Sequence, residues 1–311
     1  MTYSVIIPCY NEEAVLAETH KRLTAVMSGM DGDYELIYVN DGSKDRTAEI
    51  LRELYAGDPA HVRAVMFAHN SGHQIAVSAG LDYATGDSVT IIDADLQDPP
   101  ELIPVMAERW KAGAQVIYGK RRKRDGETAF KKLTAEIYYK VINQLTGGMI
   151  PRDTGDFRMV DRKVADVIRS MPEHARFLRG MFAWAGFRQE AVEYDRDKRF
   201  AGETHYPLKK MLKLAADGIF SFSFKPLKLA TALGVVYLAA AVILALVFVI
   251  MTCCGTAAGL WWLVPVLLLT AGTLHVCLGL TGEYIARIYD ETRQRPLYVA
   301  ADVLGFDGED A

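Results

Sequence analysis

Short β-branched runs alternate with longer amphipathic stretches through the first 119 residues. SVIIP is followed by Glu12 to Ser28, YELIYVN by Lys44 to Tyr55, VRAVMF by His73 to Ala84, and SVTIID by Pro99 to Ala112, with QVIYG closing the series. A strand–helix rhythm of this kind predicts a mostly parallel sheet covered by helices on both faces. Ligands in such sheets bind beyond the C-terminal ends of the strands.

The pattern changes near the other end of the chain. Leu229 to Met251 and Leu260 to Gly282 are uncharged and mostly apolar; each is about 23 residues, roughly 34 Å as helix, against a hydrocarbon core of about 30 Å. Two membrane spans are therefore expected. Pro265 is tolerated in a spanning helix and His275 reads as a helix-packing group. Lys225 and Lys228 precede the first span, Arg287, Arg293 and Arg295 follow the second, and the connector TCCGTAAG has no basic residue. Both flanks are thus expected in the cytoplasm, with a multi-pass arrangement in the inner membrane. Between the soluble part and the spans, HYPLKKMLKLAADGIFSFS, His205 to Ser223, sets Leu208, Met211, Leu212 and Ala215 against Lys209, Lys210 and Lys213. It is either an interfacial helix or an ordinary packing helix.

Length and composition exclude little. The 311 residues suffice for one large or two modest domains, and 35 Lys plus Arg against 39 Asp plus Glu leave a net charge of −4, unlike the basic footprint of a nucleic-acid binder. Cys9, Cys253, Cys254 and Cys277 show no metal-ligand spacing, and the adjacent pair is poorly placed for an unstrained disulfide. MTYSVIIP has no basic n-region and Glu12 and Glu13 follow it, so no secretory signal is expected.

Polar residues cluster at the strand ends: Asn11 and Glu12 after the first run, Asn40 and Asp41 after the second, Asn70 after the third, Asp93 and Asp95 after the fourth. Turn chemistry accounts for one or two of these; four loops in succession point to one crevice. No G-x-G-x-x-G follows the first strand and no Walker A sequence occurs, so neither phosphate-cradling loop is available. In IIDADLQDPPE, the hard oxygens of Asp93 and Asp95 suit Mg²⁺ or Mn²⁺ and leave coordination positions for a diphosphate. An EF-hand beginning at Asp93 is excluded, because Asp98 and Pro104 stand where Gly and Glu are needed. Asp98 itself reads as the N-cap before Pro99 and Pro100.

Together PCYNEE, VNDGSKDRT, NSGHQIAVSAGLDYATGD, DADLQDPPE and TGDFRMVDR resemble the glycosyltransferase family 2 enzymes that load a sugar onto a polyprenyl phosphate, the group of dolichol-phosphate mannose synthase and the bactoprenol glucosyltransferases. RFLRGMFAWAGF, RFAGETHYPLKKML and the two-span tail extend the likeness almost end to end. GDFR, where the mannose synthases usually have SGFR, favours the bactoprenol branch.

The resemblance implies a GT-A fold with a nucleotide-sugar, here a UDP-sugar, lying across the strand ends. Pro8, Tyr10, Asn11, Glu12, Asp41 and Asp93 would contact it, and Asp93, Asp95 and Gln97 would hold the metal. Asp41 from its sequence alone is equally a helix cap. Arg121, in GKRRKR, falls where the family has an arginine near the lipid phosphate; Lys131, Lys132 and Arg199 are further candidates for that phosphate. Asp95, Asp156 and Arg121 are the expected catalytic residues. Asp156 is either a base or a positioning group, and Arg158 either joins the site or simply pairs with Asp156. Lys123 and Arg124 belong either to a solvated face or to a headgroup-binding patch. The group Arg196, Lys198 and Arg199 with Gly202 and Tyr206 resembles a segment that closes over the diphosphate.

The expected organisation is a cytoplasmic GT-A domain over 1–204, a juxtamembrane segment over 205–228, two transmembrane helices over 229–282 and a cytoplasmic tail over 283–311. The expected reaction is inverting transfer of a hexose, by resemblance glucose, to undecaprenyl phosphate for cell-envelope glycan modification. Other nucleotide-sugars remain open at this level, and related proteins suggest a homo-oligomer. A processive synthase would carry Q-x-x-R-W, but Met106 precedes Arg109-Trp110 where Gln is needed. A non-catalytic membrane adaptor would be expected to lose the aspartate pair or the basic residues, and both are present.

Overall fold

The computed structural model describes residues 1–122, 154–195, 225–254 and 263–306. The chain divides into two compact units, Met1–Ala215 with Arg295–Ala311, and Ala216–Gln294. The first unit is built on an eight-stranded sheet. Its strands are β1 Thr2–Cys9, β2 Asp33–Asn40, β3 Val62–Phe67, β4 Ser88–Ile91, β5 Val116–Arg121, β6 Thr154–Asp161, β7 Gln189–Tyr194 and β8 Ala300–Leu304. Their spatial order is β7-β5-β6-β4-β1-β2-β3-β8. The pairs β1–β2, β1–β4, β2–β3 and β5–β7 are parallel; β4–β6, β5–β6 and β3–β8 are antiparallel. This is the mostly parallel GT-A arrangement that the resemblance implied, and the strand–helix rhythm through residue 119 is present as read.

β1 and β2 are buried along almost their whole length, which is why they read as unbroken apolar runs rather than alternating ones. The intervening helices are α1 Leu16–Met27, α2 Thr47–Gly57, α3 His73–Tyr83 and α4 Ile103–Lys111, the last preceded by one 3-10 turn, Pro100–Leu102. α1 buries Leu16, Thr19, Leu23 and Met27, one helical face; each of its wholly buried apolar side chains contributes about 2 kcal/mol. Beyond the rhythm come β6, α5 Arg162–Ser170, α6 Leu178–Trp184 and β7. α5 begins at Asp161, whose carboxylate accepts from Lys163 N at 3.0 Å, an N-cap.

Three features of the first unit differ from the sequence reading. TGDFRMVD is an antiparallel strand inserted between β4 and β5, where only a site motif was expected. Asp98 does not cap the 3-10 turn, whose N-cap is Pro99 without a side-chain cap; it is buried and accepts from the Tyr194 hydroxyl instead. Residues beyond the second apolar helix return to the first unit, with β8 lying antiparallel to β3.

The second unit contains α7 Lys225–Cys253 and α8 Leu263–Thr292. Ala230–Met251 and Val266–Thr292 are long and apolar enough to cross a membrane. α8 runs ten residues past the expected end at Gly282 because Glu283–Thr292 continues as helix, with Arg287 and Glu283 paired at 3.2 Å at the i,i+4 spacing that supports a helix. His275 Nδ1 lies 2.7 Å from the Ala271 carbonyl of its own helix. The segment 205–223 expected at the interface lies outside the described residues, as do Lys123, Arg124, Lys131, Lys132, Arg196, Lys198 and Arg199.

α3 is the most tightly seated helix, burying Ala76, Val77, Ser78, Ala79, Gly80 and Leu81. A methyl group on Gly80 would overlap Ile6 Cγ2 of β1. Gly80→Ala should therefore destabilise the protein by about 1–3 kcal/mol, read by thermal unfolding. Combining it with Ile6→Ala, which removes the opposing atoms, should give a double mutant more stable than the sum of the two single changes by about 1 kcal/mol.

Candidate active site

The sheet changes direction at β1: β2 and β3 continue to one side and β4 lies on the other. The crevice of such a sheet opens at that point, and the side chains of interest gather there. β4 and β6 pair with Ile91 opposite Arg158; two residues further along, the same register sets Asp93 opposite Asp156. An inserted antiparallel strand thus carries a carboxylate to the Asp93–Asp95 turn.

Asp156 is buried and densely held. Arg179, in the first turn of α6, donates from Nε at 2.8 Å to Oδ1 and from Nη2 at 3.1 Å to Oδ2. His73 Nε2 lies 3.2 Å and Gln74 Nε2 3.4 Å from Oδ2. His73 and Gln74 open α3, and Gln74 Oε1 also accepts from Leu178 N at 2.9 Å. Burial alone would raise the Asp156 pKa, but Arg179 and His73 outweigh it and hold it well below the usual carboxylate range. Burial opposes the charging of His73; the hydrogen bond to Asp156 and the charges of Asp93 and Asp156 prevail and push it up to about 9. Arg158 is buried with Nε and Nη2 donating to the Asp156 and Gly155 carbonyls at 3.2 and 3.0 Å, its guanidinium 4.6 Å from the centre of the Phe182 ring. Burial lowers its pKa to about 10, so it remains a cation at neutral pH.

Asp93 is reached by His73 Nε2 at 3.7 Å. Its pKa is raised to about 6, first by burial and then by Asp98, Asp95 and Asp156, with His73 opposing. Asp95 is buried, and its Oδ1 accepts from Gln97 N at 3.1 Å across a turn in which Leu96 has φ 56°. This donor set, hard oxygens under mutual repulsion, fits a divalent cation of the Mg²⁺ or Mn²⁺ type.

Arg121 ends β5, and the parallel register sets it beside Tyr194 of β7. Its Nε is 3.5 Å from the Tyr194 hydroxyl and its Nη2 3.9 Å from Asp98 Oδ1. Despite burial, Asp98 and Tyr194 raise its pKa. A Cβ on Gly155 would come within 2.8 Å of Arg121 Nη2, so the glycine before Asp156 gives the guanidinium room.

The remaining strand-end residues join loops to one another. Asp41 is buried, and its Oδ1 accepts from Ser71 N at 2.6 Å and Gly72 N at 3.2 Å, its Oδ2 from Gly72 N at 2.9 Å and Asn70 Nδ2 at 2.8 Å. Burial raises its pKa against those backbone donors. Asn11, at φ 56°, accepts from Lys44 N at 2.8 Å, while its own N–H donates to Ser43 Oγ at 2.9 Å. Glu12 N donates to Thr47 Oγ1 at 2.9 Å. Pro8 is buried within β1 and Tyr10 is exposed beside this loop pair. His73, Gln74, Arg179, Asp98 and Tyr194 were absent from the expected site; only the long-range pairing of β6 and β7 brings them in. Lys131, Lys132 and Arg199 lie outside the described residues.

The profile of glycosyl transferase family 2 matches residues 4–169. A Bacillus subtilis protein named uncharacterized glycosyltransferase YkcC is 49% identical over 309 residues, covering 99% of this chain and 95% of its own. The prophage bactoprenol glucosyl transferase homolog of Escherichia coli is 38% identical, covering 96% and 98%. Among solved structures, glucosyl-3-phosphoglycerate synthase from Mycobacterium tuberculosis, in complex with Mn²⁺, UDP and glucosyl-3-phosphoglycerate, has a TM-score of 0.49 and 22% identity over 70% of this chain and 77% of its own.

Removing the Asp156 charge tests the site's electrostatics. A carboxylate with a depressed folded pKa adds stability that is complete above its unfolded value, near pH 4, and is lost as pH falls through the lower folded value. Asp156→Asn should cost about 3 kcal/mol at neutral pH, since it removes the buried charge that Arg179 and His73 meet directly. The gap between wild type and variant, followed by denaturant unfolding, should narrow as pH falls from about 5 to about 2; a constant gap would mean that Asp156 is not ionised in the fold.

Proposed function

The chain belongs to glycosyl transferase family 2 and is a glycosyltransferase, and from that premise we propose that it transfers a hexose from a UDP-sugar to a polyprenyl phosphate. The hexose is taken as glucose and the lipid as undecaprenyl phosphate, on the strength of relatives named bactoprenol glucosyl transferase. The observation that carries the reading is the meeting of the Asp93–Asp95 turn with the Asp156–Arg179–His73 cluster at the sheet's reversal point.

Asp93 and Asp95, with Gln97 beside them, would hold Mg²⁺ or Mn²⁺ against the donor diphosphate. The ion supplies stabilisation of the charge that develops on the departing UDP. Pro8, Tyr10, Asn11, Glu12 and Asp41 belong to the donor side, Asp41 by fixing the 70–72 loop. In the transfer an oxygen of the lipid phosphate bonds to the anomeric carbon as the bond from that carbon to the β-phosphate oxygen breaks. One displacement with no enzyme nucleophile inverts the anomeric configuration.

The acceptor, with a second pKa near 6, is largely dianionic at neutral pH and needs no base to attack. Asp156 is suited to another role, since a general base works best with a pKa near the operating pH and this one is far below it. It aligns Arg179 and His73 toward the reacting centre. Arg121 receives the lipid phosphate, aided by Lys131, Lys132 and Arg199. Two membrane-length helices with basic flanks support an inner-membrane location, the first unit and both termini in the cytoplasm. The domain limits read from sequence, and assembly into a homo-oligomer, stand as part of the same proposal.

A panel assay tests this. Purified protein with Mg²⁺, undecaprenyl phosphate and labelled UDP-glucose, UDP-galactose or UDP-N-acetylglucosamine should move label into the organic phase from one donor. EDTA should abolish the signal and Asp95→Ala should lower it by about 100-fold or more. Label from none of the three sinks the reading. Arg121→Lys, which keeps charge but loses the planar fork, should raise KM for the lipid more than KM for the donor.

A further inference from the structure

The tail that follows α8 does more than cover a sheet edge. Tyr298 stacks on Phe67 with ring centres 4.9 Å apart and donates to Asp82 Oδ2 at 3.1 Å. The Val299 carbonyl accepts from Ala68 N at 2.9 Å, and β8 then pairs with β3 from Phe67 back to Ala64. Further along, Phe306 lies against Tyr83 and beneath the Arg63 guanidinium. The Tyr298 and Val299 contacts hold the tail at the C-terminal end of β3, the edge on which the site lies, and Phe306 anchors it at the strand's other end.

An open cavity of about 790 Å³ occupies that edge, within the range of small-molecule sites. Tyr10 after β1, Ser43 and Lys44 after β2, and His69 after β3 line it together with Ala301 and Asp302 of β8. Asp302 is paired with Arg52 of α2 at 3.2 Å, and Arg52 lines the same space. The cavity therefore has apolar surface, the Lys44 ammonium, and the Asp302–Arg52 carboxylate–guanidinium pair, which offers an acceptor and donors to the edge of a base. From β3 to β4 is three interstrand spacings, roughly 14 Å, so a nucleoside seated here would point its diphosphate across β1 toward Asp93 and Asp95.

We propose that β8 is a wall of the donor pocket, with Ala301 and Asp302 contacting the nucleoside, so that the donor site is complete only when the chain has returned from α8. The inference rests on the UDP-sugar reading above and adds to it residues near the C-terminus, more than 200 positions from Asp93 and Asp95.

The test is UDP titration of the purified full-length protein with Mg²⁺ by calorimetry, on wild type, Ala301→Trp, Asp302→Ala and Ala300→Trp. Ala300 is exposed and does not line the cavity, so Ala300→Trp adds equal bulk outside it. An exposed ion pair contributes at most about 1 kcal/mol to stability, so Asp302→Ala should fold even if Ala301→Trp does not. The expected result is at least a tenfold weaker UDP Kd for a folded Ala301→Trp or Asp302→Ala, Ala300→Trp within twofold of wild type, and unchanged KM for the lipid. Binding within twofold in both cavity variants, or equal weakening by Ala300→Trp, would overturn the role of β8 while leaving the transferase reading intact. Absence of UDP binding by wild type would instead remove the donor reading and this inference with it.

Discussion

A buried carboxylate sets the terms for the rest of the crevice. Moving an ion of that size out of water costs several kcal/mol even after relaxation, and Asp156 is kept charged only because Arg179 and His73 meet it directly. Those partners start two different helices, so a single side chain fixes α3 and α6 against β6. Gln74 ties the same two helices by touching both Asp156 and the Leu178 amide. An apolar plug could join the elements at lower electrostatic cost. It could not supply the charged groups that meet Asp93 and Asp156 in this crevice.

Among the described residues, the charges in this space are close to balance. Asp93, Asp95, Asp98 and Asp156 stand against Arg121, Arg158, Arg179 and a His73 whose pKa is pushed up to about 9. The balance is uneven in position: Arg179 and His73 press on Asp156, whereas Asp93 is crowded by three other carboxylates and its pKa rises to about 6. The deficit of positive charge therefore lies at the end of β4. Arg121, braced by Tyr194 and Asp98 on the neighbouring strand and turn, marks the opposite pole.

Much of this was legible in the residues. Continuous apolar runs are characteristic of parallel strands buried on both sides, and the first five strands and their helices lie where SVIIP, YELIYVN, VRAVMF, SVTIID and QVIYG put them. β6 escaped because its pattern is misleading: Asp156 and Arg158 look solvent-facing in TGDFRMVD, yet both are buried because each answers the other's charge and Arg158 lies on Phe182. Without β6 there was no reason to join Asp156 to His73, 83 residues away, or Tyr194 to Asp98, 96 residues away. Asp98 shows the same limit. Its position before two prolines is a convincing capping signal, and only the register of β5 with β7 supplies the competing hydroxyl. Gly155 was the available clue, since a small residue beside a candidate acid often marks a close approach by another group.

The polar strand ends also divide in a way local sequence does not reveal. Asn11 and Asp41 have the residue types of ligands, but their side chains hold backbone amides of the neighbouring loops. The loop after β3 is consequently gripped from both sides: Asp41 takes the amides of Ser71 and Gly72, and the tail takes the amide of Ala68. Gly72 leads directly into His73, so the orientation of the histidine that links Asp93 to Asp156 depends on both grips. Left bare, β3 would present unpaired backbone groups to any passing strand; β8 covers them, and at five residues ending before Gly305, φ 82°, it is a poor template for another. A short returning strand thus covers the sheet edge and stiffens the loop that leads into the candidate site, which explains why so exposed a segment makes so many specific contacts.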